Sequence, residues 1–86
     1  MKRADGLGLD PYQALANAVV QQAAEDYRAS LKRLARDPEN HIAADEIKDL
    51  RRFFRSGWYS VLTSVDGEYL IKMLDAEYPD VEVEDN

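Results

Sequence analysis

The chain has 86 residues, of which 45% are apolar and 33% charged, with a formal net charge of −6. That composition suits one small folded domain rather than a disordered chain, while the acidic balance argues against general nucleic-acid binding. There are no cysteines, which removes disulfides, thiolate metal sites and cysteine nucleophiles.

Residues 1–9 contain two glycines and no hydrophobic period, and are expected to form a loose tail. The short stretch from Ala4 to Leu9 is too polar for a signal peptide, and Pro11 to Ala24 is too short and too rich in Asn and Gln for a membrane span. The expected location is therefore a cytosol, with no membrane partner.

Asp10-Pro11 is a helix-start signal, with an N-cap oxygen followed by a residue that needs no N–H partner. The first helix is expected over Pro11 to Arg36, because Tyr12, Leu15, Ala16, Val19, Val20, Ala23, Ala24, Tyr27, Leu31 and Leu34 recur at threes and fours. Asp37-Pro38-Glu39-Asn40 breaks it, and either Asp37 or Asn40 is a candidate cap for a second helix reaching Phe54 or Arg55. The short loop predicts an antiparallel hairpin. In one register Leu34 faces Ala43, Leu31 faces Ile47 and Tyr27 faces Leu50. The same register sets Lys32 against Asp45, Arg28 against Asp49, Glu25 against Arg52 and Asp26 against Arg51.

Trp58 to Leu62 reads as a short helical turn, with Phe54 and Trp58 inside and Phe53 or Tyr59 partly exposed. A last helix is expected over about Gly67 to Glu77, capped by Thr63 or Asp66, and Thr63 to Asp66 has capping-box spacing. Pro79 ends it, leaving 79–86 as an acidic tail. Trp58, Leu62, Leu70 and Leu74 are expected to cover the first half of the long helix. The predicted fold is all-α, a three-helix bundle built on a long N-terminal helix in an antiparallel hairpin, with one domain over residues 10–78.

Charge is uneven. Residues 28–55 hold eight basic and five acidic residues, whereas 56–86 hold one basic and eight acidic. Arg28, Lys32, Arg36, Arg51, Arg52 and Arg55 would form a phosphate-contacting face in a nucleic-acid-associated regulator. Pairing with facing acids is the preferred reading, because the overall field is negative. His41 is expected to be a solvated residue at a helix start, and Asp45 with Asp49 a solvated pair rather than a cation site. No catalytic, cofactor-binding or metal-binding constellation is visible, so neither an enzyme nor a cofactor is expected. The uncharged Pro11–Ala24 stretch instead suggests a contact surface. Ala14, Asn17, Ala18 and Gln21 lie off the main stripe and suit self-association, with Tyr59 as a further contact candidate.

The run from Phe53 to Ile71, FFRSGWYSVLTSVDGEYLI, resembles an FFRSxWxxxLTxxDGxxLI-like signature of small acidic helical proteins from bacterial phages and integrated mobile elements. Ala23 to Arg28 is similar to an upstream helix of the same group, and the resemblance covers about residues 15–75. Gly57 departs from the pattern, where a charged residue is commoner. The resemblance implies genomic context and fold and carries over no functional residues. The expected role is a non-enzymatic protein–protein interaction, with a host-encoded partner, a second copy, or both. One version is inhibition of a defence nuclease by the acidic residues of 66–86.

Overall fold

The computed structural model describes residues 11–84, so the expected Asp10 cap and the expected tail over 1–9 lie outside the described residues. Within this range the protein is all-α. It has helices α1 (Pro11–Arg36), α2 (His41–Phe54), α3 (Gly57–Leu62) and α4 (Gly67–Ala76), and the described residues include no strand.

Each helix boundary has a local cause. Pro38 follows the end of α1, and Asp37 folds the turn by accepting the Glu39 N–H on its carboxylate at 3.1 Å. Asn40, the second of the two cap candidates, caps α2 by accepting the Ala43 N–H at 3.0 Å. Ser56 caps α3, its Oγ accepting the Tyr59 N–H at 3.1 Å while donating to the Phe53 carbonyl at 2.7 Å. Asp66 occupies the α4 cap position without a side-chain cap bond. The expected capping box does not form there: Thr63 Oγ1 turns to the nearer Val65 N–H at 3.2 Å, closing a local turn instead.

α1 and α2 pass each other so that Arg33 lies near Glu46, while Tyr27, further from the turn, meets Arg51 and Phe54. Tyr27, Leu31, Leu34, Ala43, Ile47, Phe54, Tyr59, Ile71 and Leu74 form one buried cluster. Its aromatic centre is compact: Tyr59 stands edge-on to both Phe53 and Phe54 at 5.7 Å, and Tyr27 lies 5.9 Å from Phe54. α4 enters this core tightly, since a Cβ on Gly67 would sit 2.0 Å from the Phe54 carbonyl oxygen.

A buried polar knot ties three helices together. The Tyr27 hydroxyl donates to Asp75 at 2.7 Å and accepts from Arg51 Nε at 3.0 Å. Arg51 also donates to the other Asp75 oxygen and to the Val83 carbonyl, both at 3.2 Å. The last of these bonds reaches the segment beyond Tyr78. Val81 and Val83 are half-buried against the core, so the acidic segment through residue 83 is held to the body by alternate valines and one buried arginine.

A candidate docking surface on the first half of α1

Among the described residues, one end of α1 is poorly covered. α2 has 14 residues against 26 in α1, and its last residue, Phe54, already lies beside Tyr27. α3 has only six residues. Ala16 is buried, but Tyr12 and Leu15 remain 59% and 63% exposed and Val19 is also exposed. The expected cover of this half by Trp58, Leu62, Leu70 and Leu74 is therefore only partial. Leu62 and Leu74 are buried, Leu70 is half-buried and Trp58 faces solvent.

Tyr12, Leu15 and Val19 follow one another at three and four residues, so they form a single row along one flank of α1. The row runs into a cleft of about 420 Å³ lined by Ala18, Val19, Gln22, Ala23 and Asp26 of α1 and by Leu50 and Phe53 of α2. Its walls are mainly aliphatic and aromatic. Its rim is polar, with Gln22 Nε2 donating to Asp26 at 3.0 Å.

This surface differs from the one expected. Ala14, Asn17, Ala18 and Gln21 are all exposed, but at about 100° per residue Asn17 and Gln21 lie on the flank of α1 opposite Leu15. Only Ala18 belongs to the cleft. Tyr59 is the clearest correction, being 2% exposed, whereas Trp58, expected inside, is 60% exposed. The Ser56 cap explains the exchange. It sets the phase of α3 so that Tyr59 and Leu62, three apart, face inward, while Trp58 and Val61 face out. The Tyr59 hydroxyl has no hydrogen-bond partner among the described residues, and burial, with Asp66 nearby, raises its pKa.

The six cations expected to form a phosphate face are dispersed. Arg28 pairs with Glu77 at 2.9 Å, a bond that raises the guanidinium pKa further. Arg51 is only 8% exposed within the polar knot, which corrects its expected role as a surface contact. Arg55 pairs with Glu68, and Arg52 with Asp49 of its own helix at 2.8 Å. Lys32 and Arg36 are exposed. The pairings expected of Arg28 with Asp49, Lys32 with Asp45 and Glu25 with Arg52 do not form. Arg28 and Lys32 are exposed, and Asp49 is already engaged by Arg52 of its own helix. Arg28 therefore pairs with the segment just beyond α4.

Burial pushes the Tyr27 phenol well up from its ordinary value, and the hydrogen bond to Asp75 adds to the shift against the opposing effect of Arg51. His41 is exposed at the first position of α2. Among the described residues no group of three or more His, Cys, Asp or Glu could hold a metal ion, and no helix is long and apolar enough to cross a membrane.

No family model, curated protein or solved structure matches this chain.

Proposed function

We propose that this is a non-enzymatic interaction protein of a phage or integrated mobile element. It works in the bacterial cytoplasm by docking a protein on the first half of α1. Its scaffold is read as a three-helix bundle, with α1 and α2 as the antiparallel hairpin and α3 as the connecting turn. The observation that carries this reading is the exposed Tyr12–Leu15–Val19 row leading into the Leu50–Phe53 cleft. Exposed apolar rows rimmed by polar groups mark interaction sites, because closing them against a partner removes apolar surface from water. The partner is a host protein, a second copy of the chain, or both in turn.

The apolar surface supports this reading better than charge mimicry of nucleic acid against a host nuclease. Three acids of the C-terminal third, Glu68, Asp75 and Glu77, are engaged by Arg55, Arg51 and Arg28, which weakens the field they present outward. The same three contacts draw cations away from the nucleic-acid reading.

A photo-crosslinking amino acid at Leu15, expressed in a bacterial host, tests the proposal. The expected result is a discrete adduct from Leu15 and none from the same amino acid at exposed Ala35, near the other end of α1. Equal labelling at both positions, or none at Leu15, overturns it.

A further inference from the structure

We infer that the occupant of the cleft is a second copy of this chain, with the two α1 helices antiparallel about a two-fold axis near Val19. This rests on the reading of α1 as a docking surface and adds the partner and its geometry.

Charge is the first argument. Each copy carries a formal −6, so two copies repel across most relative orientations. A two-fold contact sets a patch against itself, and net charge near the axis would oppose its own image most strongly. Residues 11–24 of α1 contain no Asp, Glu, Lys or Arg, although charged residues make up 33% of the chain. The strip that carries the exposed row is the stretch of α1 where a like-charged copy meets least repulsion. A cationic or anionic partner would be matched instead by charges of the opposite sign.

Shape is the second argument. A self-complementary interface needs a ridge and a groove on the same patch, at distances that exchange across the axis. Here the ridge is Tyr12 and Leu15, and the groove is framed by Val19, Ala23, Leu50 and Phe53. An antiparallel crossing at Val19 brings Leu15 of each copy over Ala23 of the other, at the floor of the groove. The same crossing brings the Tyr12 hydroxyl to Asp26, on the rim, where Gln22 already holds one carboxylate oxygen. Ala18 and Ala23 are small and allow the axes to close to the usual helix-packing distance of about 8–10 Å. The apolar row spans only two turns, so the dimer should be weak, with a dissociation constant on the order of tens of micromolar.

Sedimentation of the full chain from about 1 μM to 1 mM, at physiological salt, tests the inference. The expected result is a rise from monomer to dimer mass. Leu15→Asp should weaken the dimer by at least about thirtyfold, as one desolvated charge per copy requires. Circular dichroism should show that its helix content is unchanged, since Leu15 is exposed. The absence of native cysteines permits a direct test of geometry. With a short bis-maleimide, Val19→Cys should cross-link to itself, and a mixture of Tyr12→Cys and Asp26→Cys should cross-link as mixed pairs. Tyr12→Cys alone should not.

A chain monomeric at 1 mM overturns the inference, as does a dimer indifferent to Leu15→Asp, or self-linking of Tyr12→Cys, which signifies parallel helices. A monomer whose Leu15 photo-adduct contains a different protein leaves the docking reading standing and removes only the second copy as occupant. Cover by residues 1–10 of the same chain would show as concentration-independent monomer and overturns it equally.

Discussion

The two halves of α1 belong to one unbroken helix, yet the rest of the molecule treats them oppositely. From Ala23 onward the helix buries Ala23, Tyr27, Ser30, Leu31 and Leu34, whereas before it only Ala16 is buried. Both halves show the same spacing of apolar residues, so periodicity does not separate them. Length does. At 1.5 Å per residue α1 is ~39 Å long, α2 ~21 Å and α3 ~9 Å, so the partners run out before α1 does. An apolar stripe states that a face seeks cover. The number of residues in the opposing helices decides how much of it receives cover within the same chain.

The largest expected effect comes from the enclosed half. Leu31→Ala should cost about 3–4 kcal/mol, since Leu31 is almost fully buried and the void it leaves is walled by both helices. Urea unfolding followed by circular dichroism measures this directly. A cost near 1 kcal/mol would mean that the α1–α2 seam is loose and the contrast between the halves is false. Gly67→Ala comes next. Its new Cβ would lie 2.0 Å from a backbone oxygen of Phe54, which cannot rotate away, so α4 must retreat from α2. A loss of about 2–3 kcal/mol is expected in the same assay.

Arg51→Met separates the polar knot from the apolar core. It keeps most of the aliphatic bulk and removes the donors to Tyr27, Asp75 and Val83. About 2 kcal/mol should be lost, less than for a fully interior ion pair because Asp75 is partly exposed. Amide exchange at Val81–Glu84 should rise more than at Leu31 or Ile47, because the guanidinium is what holds the 83 carbonyl. Uniform change across all these amides would contradict the latch.

The knot also has a pH signature. The Tyr27 phenol is raised in the folded protein above its ordinary value of 10.0, so folding favours its protonated form. Its contribution is fully present below about pH 10 and is lost as pH rises from there towards the higher folded value, because only the unfolded chain releases the proton. Stability should fall above pH 10 by up to about 1.4 kcal/mol per pH unit from this group. Tyr59 is shifted in the same direction and adds to the fall. Tyr27→Phe should flatten the alkaline limb by Tyr27's share, measured as urea midpoints between pH 8 and 11.

Much of this scaffold was legible beforehand, and the failures have physical causes. The end of α1 at Arg36 and the start of α2 at His41 follow from Pro38 and the Asn40 cap, which are local chemistry written in adjacent residues. The packing of Leu31 and Ile47 follows from periodicity plus a short loop. The exchange of Trp58 and Tyr59 does not, since in a six-residue helix one residue of phase decides which aromatic is inside. The signal that could have found it was Ser56, a cap residue three before Tyr59. The charge partners were misread for a related reason. A register fixes which residues are level along two helices, while reach depends on the flank, and Arg28 and Arg51 found their acids in and beyond α4. The docking row was named among the apolar stripe residues, but its exposure depends on the length of α2 relative to α1 and not on its own sequence.

The smallest expected effect is the sharpest test of the opening contrast. Leu15→Ala deletes the same atoms as Leu31→Ala, from the same helix, in the same secondary structure. In dilute solution, with Leu15 already 63% exposed, it should change stability by less than about 0.5 kcal/mol, and the higher helix propensity of alanine offsets part of any loss. The pair of variants thus cancels helix propensity and chain entropy, and their difference reports cover alone. If Leu15→Ala instead costs ~2 kcal/mol at micromolar concentration and nothing changes on further dilution, a segment of the same chain must cover that row, and the first half of α1 is not a docking surface. If the cost appears only as concentration rises into the range where dimers form, the missing cover is supplied by another molecule, and the uncharged half of α1 is stabilised by association as the charged half is by folding.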